Sequence, residues 1–204
     1  MTEERGGGVT SGFLTGKLVK LREYRESDAE KVCEYMNDLE VRKFVAIRYY
    51  PFLCSLEEVR EWIRQQKSDF ANGSYAFAID AISAVNTNET SVYIGGCGIN
   101  NFNSFSRVAS IWISIANKNY WGMGYGTEAL QLLLRFIFLQ MNVQKVGLGV
   151  NDDNERAIAF YKKNGFQEEG RLRRNYFQSG SYHDTIIMGL LVEEWQEKFG
   201  AKLF

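Results

Sequence analysis

The chain has 204 residues, 45% of them hydrophobic and 14% aromatic, enough to bury a sizeable core and most economically arranged as one domain. Lys and Arg number 24 against 25 Asp and Glu, which excludes a general positive field for nucleic acid or an acidic membrane; an anionic ligand must be held by local geometry. Cys33, Cys54 and Cys97 are too widely spaced for a metal or redox pair and read as buried free thiols. The sequence shows no apolar segment with a cleavage site at its start, and its greasiest run, residues 132–139, is short and interrupted by Arg135. A cytoplasmic location is the expectation, and the glycosylation-like triplets at Asn72 and Asn88 read as turns.

Residues 1–12 are polar and include Gly6, Gly7 and Gly8, so they are expected to form a flexible leader. Residues 17–21 alternate like a half-buried strand, and Ser27-Asp28-Ala29-Glu30 then predicts a capping box for a helix running to about Met36. A second capping box, Ser55-Leu56-Glu57-Glu58, opens a helix with Val59, Trp62, Ile63 and Phe70 on one stripe; Arg60, Glu61, Arg64 and Lys67 fall largely elsewhere. Between the helices, residues 44–53 carry Tyr49, Tyr50, Pro51 and Phe52, a connection that either packs or flanks a cleft. Residues 75–79, 92–99 and 108–116 read as three strands of an antiparallel meander, the first two joined by a polar segment.

An apolar helix is expected over residues 127–141, then a strand over 145–150 whose Gly147 and Gly149 share one face, admitting either a ligand or close packing. Asn154 begins a helix that stops at Asn164-Gly165. Strands over 167–172 and 182–191 and a short tail helix with Trp195 complete the order: strand, two helices, three strands, helix, strand, helix, two strands. A strand, crossover helix and parallel strand thus sit inside an otherwise antiparallel α+β sheet.

The chemistry concentrates at Trp121-Gly122-Met123-Gly124-Tyr125-Gly126-Thr127, where three glycines in five residues open a helix. Side chains are missing where first-turn N–H groups point outward, so an anion can reach bare donors aided by the positive end of the helix dipole. A dinucleotide fold needs a third glycine where Thr127 stands, and a P-loop needs a lysine directly after Gly126; both readings fail on spacing. Downstream, Asn154-Glu155-Arg156-Ala157-Ile158-Ala159-Phe160-Tyr161-Lys162-Lys163-Asn164-Gly165-Phe166 puts Asn at a helix start and Tyr two turns later.

Together the two segments resemble the GNAT superfamily of N-acetyltransferases. Gly124 and Gly126 fall on the glycines of its Q/R-x-x-G-x-G/A loop, and Asn154, Ala157, Tyr161, Gly165 and Phe166 match its N-x-x-A-x-x-x-Y-x-x-x-G-F run. Trp121 departs from the pattern by occupying the Gln/Arg position, so the grip on phosphate is expected to come chiefly from backbone N–H groups. Within the superfamily, the Tyr-Trp-Gly-x-Gly-Tyr loop, Tyr182-His183-Asp184 and Glu193-Glu194-Trp195 look most like the Rim-type enzymes that modify ribosomal-protein N-termini.

The resemblance implies one acetyltransferase domain over residues 13–204. It also implies a mostly antiparallel sheet of about seven strands with flanking helices and a splay between strands 4 and 5. Acetyl-CoA would be the cosubstrate, without a metal. Its pantetheine arm would lie along Ser114, Ile115 and Ala116, its diphosphate on the N–H groups of Gly122, Met123, Gly124, Tyr125, Gly126 and Thr127, with Trp121, Asn151 and Asn154 as further contacts. An amine would attack the thioester directly in a ternary complex, a backbone N–H near Ile115 or Ala116 would hold the oxyanion, and Tyr161 would protonate the departing thiolate. Alternatively, Tyr161 is a core aromatic and Asn154 a plain cap.

His183, the lone histidine, is either a hydrogen-bonded strand residue beside Asp184 or a proton carrier. Residues 151–154 lack the ligand alternation of a calcium loop and read as a turn. The expected acceptor is a protein N-terminal amine, with Arg42, Lys43 and Arg48 before the cleft arguing against a polycation; polyamine or aminoglycoside acceptors and a non-catalytic acyl-CoA sensor are the alternatives. Neither nucleic acid nor membrane is an expected partner, and the chain is expected to be a monomer or homodimer.

Overall fold

The computed structural model describes residues 12–45, 53–66, 73–82 and 91–200. The elements are β1 (Val19–Arg22), α1 (Ala29–Asn37), α2 (Leu39–Val45), α3 (Leu56–Gln66), β2 (Tyr75–Ala81), β3 (Val92–Asn103), β4 (Val108–Ile115), α4 (Tyr125–Gln140), β5 (Lys145–Asn151), α5 (Glu155–Lys163), β6 (Gln167–Gln178), β7 (Ser181–Leu191) and α6 (Val192–Phe199). The strands form one sheet in the order β1-β2-β3-β4-β5-β7-β6. Its pairs are antiparallel except β4 with β5, the mixed α+β sheet expected from the alternation of patterns. Nearly all of residues 1–12, for which a leader was expected, the aromatic connection residues Tyr49, Tyr50, Pro51 and Phe52, and Arg48 and Phe70 lie outside the described residues.

The sheet is covered on both faces, and β2 shows why its sequence is apolar apart from Asp80. Phe77, Ile79 and Ala81 join the large core around α4, while Ala76 and Ala78 point to the opposite face and meet Tyr24, Ala29, Val32, Val59 and Ile63 under α1 and α3. On α4, Leu130, Leu133, Leu134 and Ile137 follow helical spacing and retain no accessible surface. Each such burial is worth roughly 1.5–3 kcal/mol before conformational entropy is set against it. Trp195 of α6 closes the end of this core, with its indole N–H on Gln131 Oε1 at 3.1 Å.

Three local expectations are corrected. The first helix is entered not through Ser27 but through a short 3₁₀ turn, Glu26–Asp28, where Asp28 Oδ2 accepts the Arg25 N–H at 2.7 Å. The same carboxylate takes Arg22 Nη1 at 2.7 Å while Arg22 Nε reaches Asp80 Oδ2 at 2.6 Å, so a buried ion cluster chooses the cap. Second, the connection expected to begin at residue 44 instead starts inside a further helix, α2; Asp38 Oδ1 starts it by accepting the Glu40 N–H at 2.9 Å. Third, Cys33 and Cys54 are only partly buried, whereas Cys97 is fully buried. The second capping box forms as expected, with Glu58 N to Ser55 Oγ at 3.2 Å and Ser55 N to Glu58 Oε2 at 2.7 Å.

Candidate active site

β4 and β5 pair only at their beginnings, Val108 with Lys145, Ala109 with Val146 and Ser110 with Gly147, and then separate. In the antiparallel ladder on the other side, Ala116 N–H bonds to Ile94 O at 2.8 Å. Alternation then turns the backbone groups of Ile113 and Ile115 away from β3 and into the gap. An unpaired strand edge facing a cleft can hydrogen-bond an extended amide chain. The Ala116 N–H is already used, which narrows the expected oxyanion donor to Ile115. Beside Gly147 and Gly149 the nearest atoms across the strand belong to β7, Met188 O at 3.7 Å and Thr185 Cγ2 at 3.0 Å from a built Cβ, and Gly149 is exposed.

The chain leaves β4 through a 3₁₀ turn, Lys118–Tyr120, and reaches Trp121. Gly122 and Gly124 hold φ of 74° and 92°, a region that excludes most side chains and supplies the physical need for glycine. Gly124 caps α4, which therefore begins at Tyr125, two residues before the expected start at Thr127. Glu128 N closes the first turn on Gly124 O at 3.0 Å. Among the described residues no acceptor takes the N–H groups of residues 122–127, so six donors are left unmet at a helix start. Met123 is exposed at the loop's tip. A Cβ on Gly126 would touch Ile115 Cγ1 at 3.4 Å and Phe160 Cε2 at 3.8 Å, so the end of β4, the loop and α5 converge here.

Trp121 belongs to this junction. Its indole Nε1 donates to Ile115 O at 2.6 Å, and the Arg156 guanidinium lies over its ring, 3.8 Å from the centroid. From α5, Tyr161 packs between Phe160 and Phe166 with 8% of its surface exposed. Burial pushes its phenol up, so it stays protonated at neutral pH, and its hydroxyl bonds to no described residue. Asn154 Oδ1 accepts the Ala157 N–H at 3.1 Å, the plain cap. Asn151, at the end of β5, is 4% exposed and its Nδ2 has no partner among the described residues. A buried unsatisfied amide costs free energy on the order of 1–3 kcal/mol unless a ligand accepts from it.

Sequence reasoning did not assemble the neighbouring cluster. Tyr176 stacks on His183, 5.1 Å between centroids, and its hydroxyl donates to Asp153 Oδ1 at 2.9 Å; burial first and then this carboxylate push its phenol up. His183 Nδ1 stands 3.6 Å from Asp152 Oδ1. Lys43 of α2 lies 3.3 Å from Asp153, and Arg171 lies 3.7 Å from Asp152 and 3.4 Å from Asp184. Asp184 Oδ1 accepts the Arg174 N–H, and this bond first, with Arg171, holds its carboxyl below the usual range. Gln178 Nε2 donates to Lys43 O at 3.1 Å, so α2, the end of β5 and the β6–β7 hairpin meet beside the splay. Lys43, Asp152, Asp153, His183 and Asp184 are visible in the sequence only in separate segments, and a strand ending at Leu172 leaves out Tyr176 and Gln178, whereas β6 runs on to Gln178.

A splayed strand pair, a glycine loop with free donors and a protonated phenol suit an acyl-CoA-dependent transferase. The sequence model of the Acetyltransferase (GNAT) domain family matches residues 19–167, and the chain belongs to that family. It is 30% identical over 182 residues to p20 of Bacillus licheniformis, an uncharacterized N-acetyltransferase, covering 89% of this chain and 97% of that one. Over 81 residues, 40% of this chain and 44% of the relative, it is 35% identical to spermidine N(1)-acetyltransferase of Escherichia coli. The spermidine N-acetyltransferase of Vibrio cholerae, solved with CoA and spermine, shares the fold with a TM-score of 0.75 at 22% identity, over 88% of this chain and 99% of that one. The protein is an acetyl-CoA-dependent N-acetyltransferase. Among the described residues no helix is long and apolar enough to cross a membrane.

Proposed function

We propose that the acceptor is a protein N-terminal α-amine, as in the Rim-type enzymes, and that transfer is direct in a ternary complex. The observation that carries this reading is the charge balance beside the splay. Asp152, Asp153 and Asp184 share two ion-pair partners, Arg171 and Lys43, and Arg173 adds its charge near Asp184, leaving little surplus negative charge for a polycation. The reason differs from the one drawn from sequence: Arg42 is buried at 1% exposure, Lys43 is committed to Asp153, and Arg48 lies outside the described residues. An α-amine with a pKa of about 8 is roughly a tenth neutral at pH 7, against a few parts in ten thousand for an alkylamine near 10.4, so it needs little help from a base.

In this mechanism acetyl-CoA supplies the activated acetyl group. The Ile115 N–H, turned into the splay, stabilises the carbonyl oxygen as negative charge develops there. The Tyr161 hydroxyl, neutral and desolvated, donates to the sulfur as the carbon–sulfur bond breaks; the attacking amine loses its proton to water. The free donors of residues 122–127 hold the diphosphate, and Asn151 Nδ2 offers its unused hydrogen to the pantetheine arm.

Likeness to the spermidine enzymes of E. coli and V. cholerae favours a second reading, a polyamine acceptor, while YdaF of Bacillus subtilis, named as a candidate ribosomal N-acetyltransferase, is 30% identical over 102 residues, 50% of this chain and 55% of that protein. Thiol release from acetyl-CoA, measured with short peptides bearing free N-termini and with spermidine and spermine, separates the two. Peptide turnover at least tenfold above polyamine turnover in kcat/KM is expected; the reverse order assigns the polyamine reading.

A further inference from the structure

The diphosphate of acetyl-CoA brings two negative charges to a loop whose residues 121–127 include no cation. Nearby side chains are largely committed. Lys118, on the approach to the loop, bonds to Asp38 and Glu40 at 2.9 and 3.0 Å. Glu128, whose charge would repel phosphate, is turned away and accepts the N–H groups of Lys17, Leu18 and Val19 at 2.9, 2.6 and 2.8 Å. Arg156 is different. Asp152 and Asp153, one turn before it, serve Arg171 and Lys43, and no described carboxylate pairs with Arg156. Its guanidinium instead lies against Trp121, the residue immediately before Gly122, at 3.8 Å from the ring centroid.

We propose that Arg156 is the cation that binds the diphosphate of acetyl-CoA in this protein, with Trp121 as its platform. Stacking uses only the face of the guanidinium and leaves its in-plane N–H groups free to form a fork on an anion. The platform is itself anchored, because the indole N–H is spent on Ile115 O at 2.6 Å. A chain of contacts therefore runs from the edge of β4 through Trp121 to Arg156, and it orders an exposed, rotamer-rich side chain before the cofactor arrives. The tryptophan adds no charge of its own, yet it positions one from another helix.

This inference rests on the loop of residues 122–127 being the diphosphate cradle, and three ligands tell the two apart. CoA, dephospho-CoA and pantetheine are titrated calorimetrically into the wild type, Arg156→Ala and Arg156→Lys. Wild type should bind CoA more tightly than pantetheine. Arg156→Ala should weaken CoA and dephospho-CoA by on the order of tenfold and leave pantetheine unchanged, since a hydrogen bond to a charged group is lost only where phosphate is present. Arg156→Lys should recover part of the loss, because an ammonium keeps the charge without the fork. In turnover, KM for acetyl-CoA should rise with kcat nearly unchanged. An unchanged CoA affinity in Arg156→Ala overturns the assignment, as does a loss that vanishes with dephospho-CoA, which would move the guanidinium to the 3′-phosphate. A wild type that does not distinguish CoA from pantetheine would remove the cradle itself, and the inference with it.

Discussion

Tyr161 sits between Phe160 and Phe166, and desolvation keeps its hydroxyl neutral, the state that the proposed proton donor requires. Tyr161→Phe keeps the ring and removes only that donor. We expect kcat to fall on the order of a hundredfold with KM for acetyl-CoA little changed, measured by steady-state thiol release; full turnover would return Tyr161 to a packing role. Its proposed role came from the resemblance to the GNAT run, whereas its place on α5, two turns after the helix-starting Asn154, was legible from helical spacing. The Trp121–Arg156 contact was not, since its partners are 35 residues apart and belong to different elements. Nor was the Tyr176–His183–Asp152–Asp153 cluster, whose members meet only through strand pairing and a turn.

At the scale of elements, the joint between β1 and α4 depends on one carboxylate. Glu128 is in the first turn of α4, where negative charge is favourable, and it satisfies three backbone donors at the approach to β1. Glu128→Ala should lower stability by about 1–3 kcal/mol in urea unfolding, by leaving those donors unmet; no shift in the midpoint would mean that water replaces the carboxylate without cost. Helix ends carried by a local code were legible: the starts at Ser55 with Glu58 and at Asn154 with Ala157, and the stop at Gly165, whose φ of 97° ends α5. The start of α1 was misplaced because Asp28 answers to Arg22, which the distant Asp80 of β2 holds in place. The β6–β7 hairpin was cut short because Ser179 and Gly180, both at positive φ, make a tight turn after an irregular stretch at Arg174.

Over the whole molecule, burial on both faces of the sheet leaves several ionisable groups without water. Desolvation pushes up the phenols of Tyr24, Tyr93 and Tyr161 and the thiol of Cys97. Each binds its proton more tightly folded than unfolded, so its contribution is fully present below the ordinary pKa, 9.0 for the thiol and 10.0 for the phenols, and is lost as pH rises above it. Urea midpoints should therefore hold steady between pH 7 and about 8.5 and fall steeply above about 9; a flat profile to pH 11 would contradict the burial of these groups. The sequence alone determined the order of elements, the parallel crossover within an antiparallel sheet and the two motif segments, because hydrophobic period, caps and glycine spacing are written in near neighbours. Only the tertiary structure decided which donors remain free, that the Ala116 N–H is taken while that of Ile115 points into the splay, and that Trp121 carries a guanidinium. Those outcomes depend on strand pairing and side-chain contact across distant parts of the chain, where a hydrogen bond made in one place removes a donor from another.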